Sequence, residues 1–416
     1  MGASEDQLTD ISAEPLKDEP IPDLPLGEGV HERRVSIDDF EAAARRKLPK
    51  MAYDYYAGGA GDEWTLSENR EAFGRWVFRP RVLVGVSNVS LETTVLGVPM
   101  PFPVILAPTA FQRLADRDGE LATARAAKAL GVLLVLSTIS TVPMEEVAAT
   151  GVDRWFQLYV MKDRSLTAHL VSRAEAGGYG AIVLTVDTPH LGRRLRDERN
   201  SFALPPEMGM ANLQDVPLPE DADGSSLAKY FGSEHDESLT WDDLAWIRSL
   251  SSLPLVLKGI VTGEDARLAA DHDVDGIIVS NHGGRQLDGA PATLDVLPEV
   301  ADAVGGRCEI LLDGGVRRGS DVVKAVALGA KAVLIGRPYL WGLAAAGEAG
   351  VRAVLEMFRD ELELAMALCG RRSISEIDGS AVAPAPGTVP TWAFRGGGGT
   401  GFRRAGFVPS GMRESE

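Results

Sequence analysis

Short runs of apolar, largely β-branched residues alternate along the chain with stretches in which apolar positions recur every three to four residues. The runs fall at 104–107, 132–136, 155–160, 181–186, 255–258, 276–280, 310–313 and 332–335. Segments of helical spacing follow them, for example 120–130, 165–176, 242–250, 264–270, 321–328 and 351–368. A run that is apolar at every position reads as a strand buried on both faces, and helical crossovers between such strands imply a parallel sheet covered by helices. Start and stop signals agree: Thr262 precedes Glu264 and Asp265, Ser320 precedes Asp321, and Gly131, Gly177 and Gly329 stand at helix ends. Eight such units predict an α/β chain folded as a (β/α)8 TIM barrel; a doubly wound open sheet is the alternative that the repeat count disfavours.

The pattern changes at both ends and once in the middle. Residues 37–56 keep helical spacing and predict an N-terminal helical extension, and residues 188–239 form one long insertion after strand four. Residues 1–35 are acidic and carry Pro15, Pro20, Pro22 and Pro25 with no apolar period, so they read as a disordered tail. Residues 381–416 read as a Gly/Pro-rich C-terminal tail. The barrel is therefore expected over 36–380, with 195–239 as a lid-like part of the insertion. Residues 396–401 match G-x-G-x-x-G literally, but no strand leads into them and no helix follows, so they do not predict a dinucleotide site.

Composition narrows the function. The 42 Lys and Arg against 60 Asp and Glu leave a net charge of −18, most of it in residues 1–34 and 195–243. That balance argues against sequence-independent nucleic-acid binding and against docking on anionic lipid, while leaving the main body nearly neutral toward an anionic substrate. No apolar run approaches the ~18 residues of a membrane span. The two cysteines, Cys308 and Cys369, offer neither a disulfide framework nor a metal or redox pair, which points to the reducing cytoplasm and to no bound metal.

A barrel of this kind carries its chemistry at the C-terminal ends of the strands. There stand Thr109 and Ala110, Ser137, Gln157 and Tyr159, Thr185 and Asp187, Lys258, and then His282 and Arg285 within the run 280–286. Strand seven ends in Asp313, Gly315 and Arg317, and strand eight in Gly336 and Arg337. Glycines let backbone N–H groups approach a phosphate, and the two arginines can fork onto its oxygens. His282 suits base catalysis, with Asp187 to stabilise its protonated ring. Arg285 suits a carboxylate. Lys258, at the end of an apolar strand, calls for an anionic partner. On these residues alone, a redox enzyme and a non-redox barrel acting on a phosphorylated metabolite both fit.

The runs Y-D-Y-Y-A-G-G-A from Tyr53, A-P-T-A from Ala107, Q-L-Y from Gln157, L-T-V-D-T-P from Leu184, S-N-H-G-G-R-Q-L-D from Ser280, D-G-G-V-R from Asp313 and I-G-R-P from Ile335 closely resemble the FMN-dependent 2-hydroxy acid oxidase and dehydrogenase family, over about residues 36–380. The resemblance implies oxidation of an L-2-hydroxy acid to the 2-oxo acid, with electrons passing to O2 to give hydrogen peroxide or to another acceptor, and a homotetramer or larger assembly. It implies that Thr109, Ala110, Ser137, Gln157, Thr185 and Lys258 contact the flavin ring. Asp313, Gly315 and Arg317 would hold the ribityl and phosphate portion, with Gly336 and Arg337 completing the phosphate site. Tyr55, Tyr159 and Arg285 would bind substrate, Arg194 occupies the second arginine position, and His282, paired with Asp187, would take the proton. Ile139 stands where glycolate-oxidising members carry tryptophan, which implies a wider substrate pocket.

Overall fold

The computed structural model describes residues 34–205, 208–213 and 234–387. The expected N-terminal tail up to residue 33, much of the insertion, and the glycine run 396–401 lie outside the described residues. The described residues from Val35 onward form one compact unit. Eight parallel strands close a barrel: Val104–Leu106, Leu134–Leu136, Arg154–Leu158, Ile182–Thr185, Leu255–Ile260, Gly276–Val279, Glu309–Leu312 and Ala332–Ile335. Each pairs with its neighbours in sequence, and the eighth closes on the first with Val333 opposite Val104.

Alternation across each strand explains why nearly every position away from the strand ends is apolar. Ile105, Val135, Trp155, Val183, Ile278 and Leu334 point inward and form one buried cluster. Their neighbours, such as Leu106, Leu134, Phe156 and Ile277, belong to the larger cluster between barrel and helices. Full burial of one such side chain stabilises by ~1.5–3 kcal/mol. An antiparallel hairpin, Thr93–Val95 with Val98–Met100, adds Val95 and Met100 to the inner cluster from the end opposite the strand C-termini.

The N-terminal extension is two helices, Ile37–Lys47 and Lys50–Ala57, separated at Pro49 and followed by Trp64–Glu71. Ser36 caps the first, accepting a hydrogen bond from the Asp39 amide, and charges of the favourable sign stand in its first and last turns. This helix packs on the long final helix, Arg337–Cys369, whose backbone breaks at Ala346 and Gly347. Val382–Pro384 pairs antiparallel with Trp76–Phe78, so this unit continues past the boundary expected at 380. Among the described residues no helix is long and apolar enough to cross a membrane, and no three potential metal ligands gather.

Candidate active site

A cavity of about 490 Å³ opens at the C-terminal ends of the strands, a size suited to a small-molecule site. Fifteen of the residues expected to form the site line it: Tyr55, Thr109, Ala110, Ser137, Ile139, Tyr159, Arg194, Lys258, His282, Arg285, Asp313, Gly315, Arg317, Gly336 and Arg337. Gln157, Thr185 and Asp187 instead bond to one another or to the lining residues. Gln157 accepts from the Ser137 hydroxyl at 3.3 Å and from the Thr138 amide at 3.1 Å, and donates to Thr185 Oγ1 at 3.0 Å.

His282 follows strand six with φ 59°, a left-handed conformation rare outside glycine. Its Nδ1 lies 3.0 Å from Asp187 Oδ1. With Nδ1–H donating to the carboxylate, Nε2 carries the lone pair. Burial pushes the imidazole below its ordinary value, and Asp187 only partly offsets this, so the ring is neutral at pH 7. Burial acts the other way on Asp187, but His282 and Lys258 outweigh it and hold the carboxyl below its usual range. The close approach of Asp187 requires glycine at Gly259, where φ is 123° and a Cβ would lie 2.6 Å from the Asp187 Cβ.

Lys258 is buried, with Nζ 2.9 Å from Asp313 Oδ2 and 2.8 Å from Ser280 Oγ, to which it donates. Burial lowers its pKa, yet Asp313 and Asp187 raise it by more, so the ammonium is kept. The second Asp313 oxygen is buried without a hydrogen-bond partner. Gly315, at φ 83°, could carry no side chain, because a Cβ would meet the Asn69 carbonyl oxygen at 1.8 Å.

Three arginines converge on the same space. Arg285 donates through Nη1 to the carbonyls of Tyr55 at 2.6 Å and Gly58 at 3.0 Å, with its guanidinium 4.9 Å from the Tyr55 ring centre. Arg337 donates to the carbonyls of Tyr56, Gly283 and Gly58 at 2.8–2.9 Å. Arg317 donates to the Val316 carbonyl and leaves Nε buried without a partner. All three are held by carbonyls alone, and no carboxylate pairs with them among the described residues. Burial accordingly drives Arg285 and Arg317 down to about 10 and Arg337 well down, with Arg194 adding like charge at Arg285. Positive charge enclosed this way is costly until an anion joins it. The donor set fits FMN: buried arginines without a counter-charge suit a phosphate and a carboxylate, and the unpartnered Asp313 oxygen suits a hydroxyl.

Other parts of the site carried no signal in the sequence. Leu191, Phe202, Leu204 and Met210 from the insertion join Ile139 as an apolar wall. The Phe202 ring stacks on Tyr55 at 4.4 Å and 10°. Thr109 hydrogen-bonds the hydroxyl of buried Tyr339, which donates to the Ala107 carbonyl at 2.9 Å. Asn69 and Asn281 exchange two side-chain hydrogen bonds of 2.8 Å and hold the end of strand six. Asn281 lies in the run 280–286 that the sequence singles out; none of the others repeats with a period or belongs to a charged cluster, and only the three-dimensional contacts single them out.

Residues 44–384 match the family model described as FMN-dependent dehydrogenase. Over 351 residues the chain is 54% identical to a glycolate oxidase of Spinacia oleracea, covering 84% of this chain and 95% of the relative. It is 53% identical over 354 residues to an L-lactate oxidase of a Nostoc species, covering 83% and 97%. A crystal structure of mandelate oxidase superposes with a TM-score of 0.80 at 46% identity, covering 86% of this chain and all of that one. With a barrel of the same architecture and a cavity whose buried arginines, lysine–aspartate pair and histidine–aspartate pair suit a phosphate-bearing flavin and a carboxylate, the chain belongs to the FMN-dependent dehydrogenase family.

Proposed function

We propose that this enzyme oxidises an L-2-hydroxy acid to the 2-oxo acid with FMN in the 490 Å³ cavity, and that O2 accepts the electrons to give hydrogen peroxide. The observation that carries the reading is His282, hydrogen-bonded to Asp187 at 3.0 Å, facing the same cavity as Arg285 and the arginines suited to a phosphate. When bound, FMN supplies a ring that accepts two electrons. Arg317, Gly336 and Arg337 would hold its phosphate, Asp313 and Gly315 the ribityl portion, and Thr109, Ala110, Ser137, Gln157 and Thr185 would stand around its ring. Arg285 binds the substrate carboxylate, assisted by Arg194, Tyr55 and Tyr159. His282 Nε2 takes the proton released as C2 is oxidised, and Asp187 stabilises the imidazolium that results. Lys258, kept charged by Asp313, stabilises negative charge arriving beside it. Ile139 and the insertion's apolar side chains face the substrate's variable group.

The oxidase names of the relatives support oxygen as acceptor. Assembly as a homotetramer or larger, as the family resemblance implies, is measurable by light scattering. Free thiols at Cys308 and Cys369 suit the cytoplasm. The test is an absorbance spectrum of the purified protein followed by anaerobic addition of 2-hydroxy acids. A yellow protein that bleaches, and that produces peroxide in air, is expected; a colourless protein after reconstitution with FMN overturns the proposal.

A further inference from the structure

The first stretch of the insertion, residues 193–204, brings Arg194, Phe202 and Leu204 to the cavity wall. Its helix, Leu195–Arg199, is only five residues long, has no side-chain N-cap bond and buries none of its residues. A helix of that length has no stability of its own, so its position must be set from outside. The fastening is polar. Arg196 pairs through Nη2 with Glu63 and lies 3.7 Å from Asp54 Oδ1 through Nη1. Asn200 donates to Asp54 Oδ2 at 2.7 Å and accepts from Lys50 Nζ at 2.7 Å. The Gly61 amide donates to the Arg193 carbonyl at 2.9 Å, and Glu63 accepts from the Gly59 amide at 3.0 Å. Asp54 is buried, which alone would raise its pKa, but Lys50, Asn200 and Arg196 outweigh burial and keep it ionised.

The anchor lies beside the substrate machinery. Asp54 and Tyr55 are adjacent on the helix Lys50–Ala57, and Tyr55 touches both Phe202 and Arg285. The carbonyls of Tyr55 and Gly58, at the end of that helix, hold Arg285. Arg194, next to the fastened helix, reaches the Arg285 carbonyl with Nε at 3.5 Å. One bracket of residues 50–63 thus holds the insertion with its side chains and the carboxylate-facing arginine with its carbonyls.

We propose that Arg196 and Asn200 are positioning residues for the substrate carboxylate: their link to Asp54 and Glu63 fixes Arg194 and Phe202 against Tyr55 and Arg285. The inference rests on the functional reading above. Cutting the link leaves Arg194 and Phe202 to be ordered at the moment of binding, which weakens carboxylate affinity while leaving His282, Asp187 and the cofactor contacts in place. The expected loss is about tenfold.

The test uses the FMN-loaded full chain as wild type, Arg196→Met, Asn200→Ala and Arg196→Lys. Oxalate, a carboxylate with no C–H to oxidise, is titrated and its dissociation constant read from the perturbation of flavin absorbance. Both removal variants are expected to bind oxalate about tenfold more weakly, Arg196→Lys to fall between, and kcat to stay within about twofold with FMN retained. Raising salt to ~0.3 M is expected to weaken oxalate binding more in the wild type than in Arg196→Met, because the variant lacks the Arg196–Glu63 ion pair that salt screens. Wild-type oxalate affinity in both removal variants overturns the inference, as does loss of FMN with equal falls in kcat and kcat/KM, which marks a purely structural bracket. Failure of the wild type to hold FMN would instead overturn the functional reading, and this inference with it.

Discussion

Replacing Asp187 by asparagine removes the negative charge beside His282 while keeping nearly the same shape. At 3.0 Å the contact is a charge-assisted hydrogen bond once the ring is protonated. Such bonds contribute ~1.5–3 kcal/mol, and that amount is lost when the imidazolium forms in the transition state. The loss corresponds to roughly 10- to 150-fold in the rate of flavin reduction and to a further fall in the His282 pKa, because a negative charge that favours the imidazolium is gone. The sign follows from the wild-type protein, where burial already holds His282 below its ordinary value. With Asp187 neutral the base form persists to still lower pH, so the acid limb of the pH profile moves down while its plateau falls. An asparagine that turned its amide NH2 toward Nδ1 would favour the wrong tautomer and deepen the loss. Stopped-flow measurement of flavin reduction by saturating 2-hydroxy acid, without oxygen and across the acid range, checks both parts. A plateau equal to that of the wild type, or an acid limb that moves upward, would refute the assignment of Asp187 as the partner of the base.

Arg337→Met, which takes a cation from the phosphate site, is expected to weaken FMN binding by ~10- to 100-fold in a fluorescence titration. Inorganic phosphate should raise the melting temperature of the apo wild type more than that of the variant; equal shifts would place the phosphate elsewhere. Lys258→Met leaves Asp313 buried without its counter-charge and should cost ~3–5 kcal/mol, seen as a Tm lowered by several degrees; an unchanged Tm would show that the pair does not stabilise the fold. Ile139→Trp fills the apolar wall and should shift preference toward short acids, at up to about fourfold in kcat/KM per methylene. Glycolate, lactate, 2-hydroxyoctanoate and mandelate form the assay panel, and an unchanged ranking would show that Ile139 does not set the pocket's size.

The barrel is legible in the sequence because its strands are buried on both faces and leave apolar runs, and because eight such runs alternate with helical spacing. Strand-end polar residues are legible for the same reason: Lys258 and His282 stand out against apolar surroundings. Helix Thr293–Val304 is harder to read because Pro298 lies inside it, and the break at Ala346 and Gly347 hides the first part of the last helix. The second layer of the site is illegible for a different reason. Tyr339 and Asn69 act through contacts with residues more than two hundred positions away, and no local pattern records such a distance. Phe202 and Met210 lie in an insertion without periodicity, so their places on the apolar wall follow from the fold alone.

The extension at the start of the chain docks on the helix at its end, and Arg337 bonds the Tyr56 carbonyl across 281 residues. Closing a loop of that size costs about 5 kcal/mol in chain entropy, which only the assembled contacts can offset. Residues 37–57 therefore find their place only once the final helix is in position. Until the eighth strand has closed on the first, the extension has no surface to cover, and the phosphate-facing arginine has no carbonyls to hold it. Cofactor capture consequently reports that extension, barrel and final helix are assembled together rather than any one of them alone.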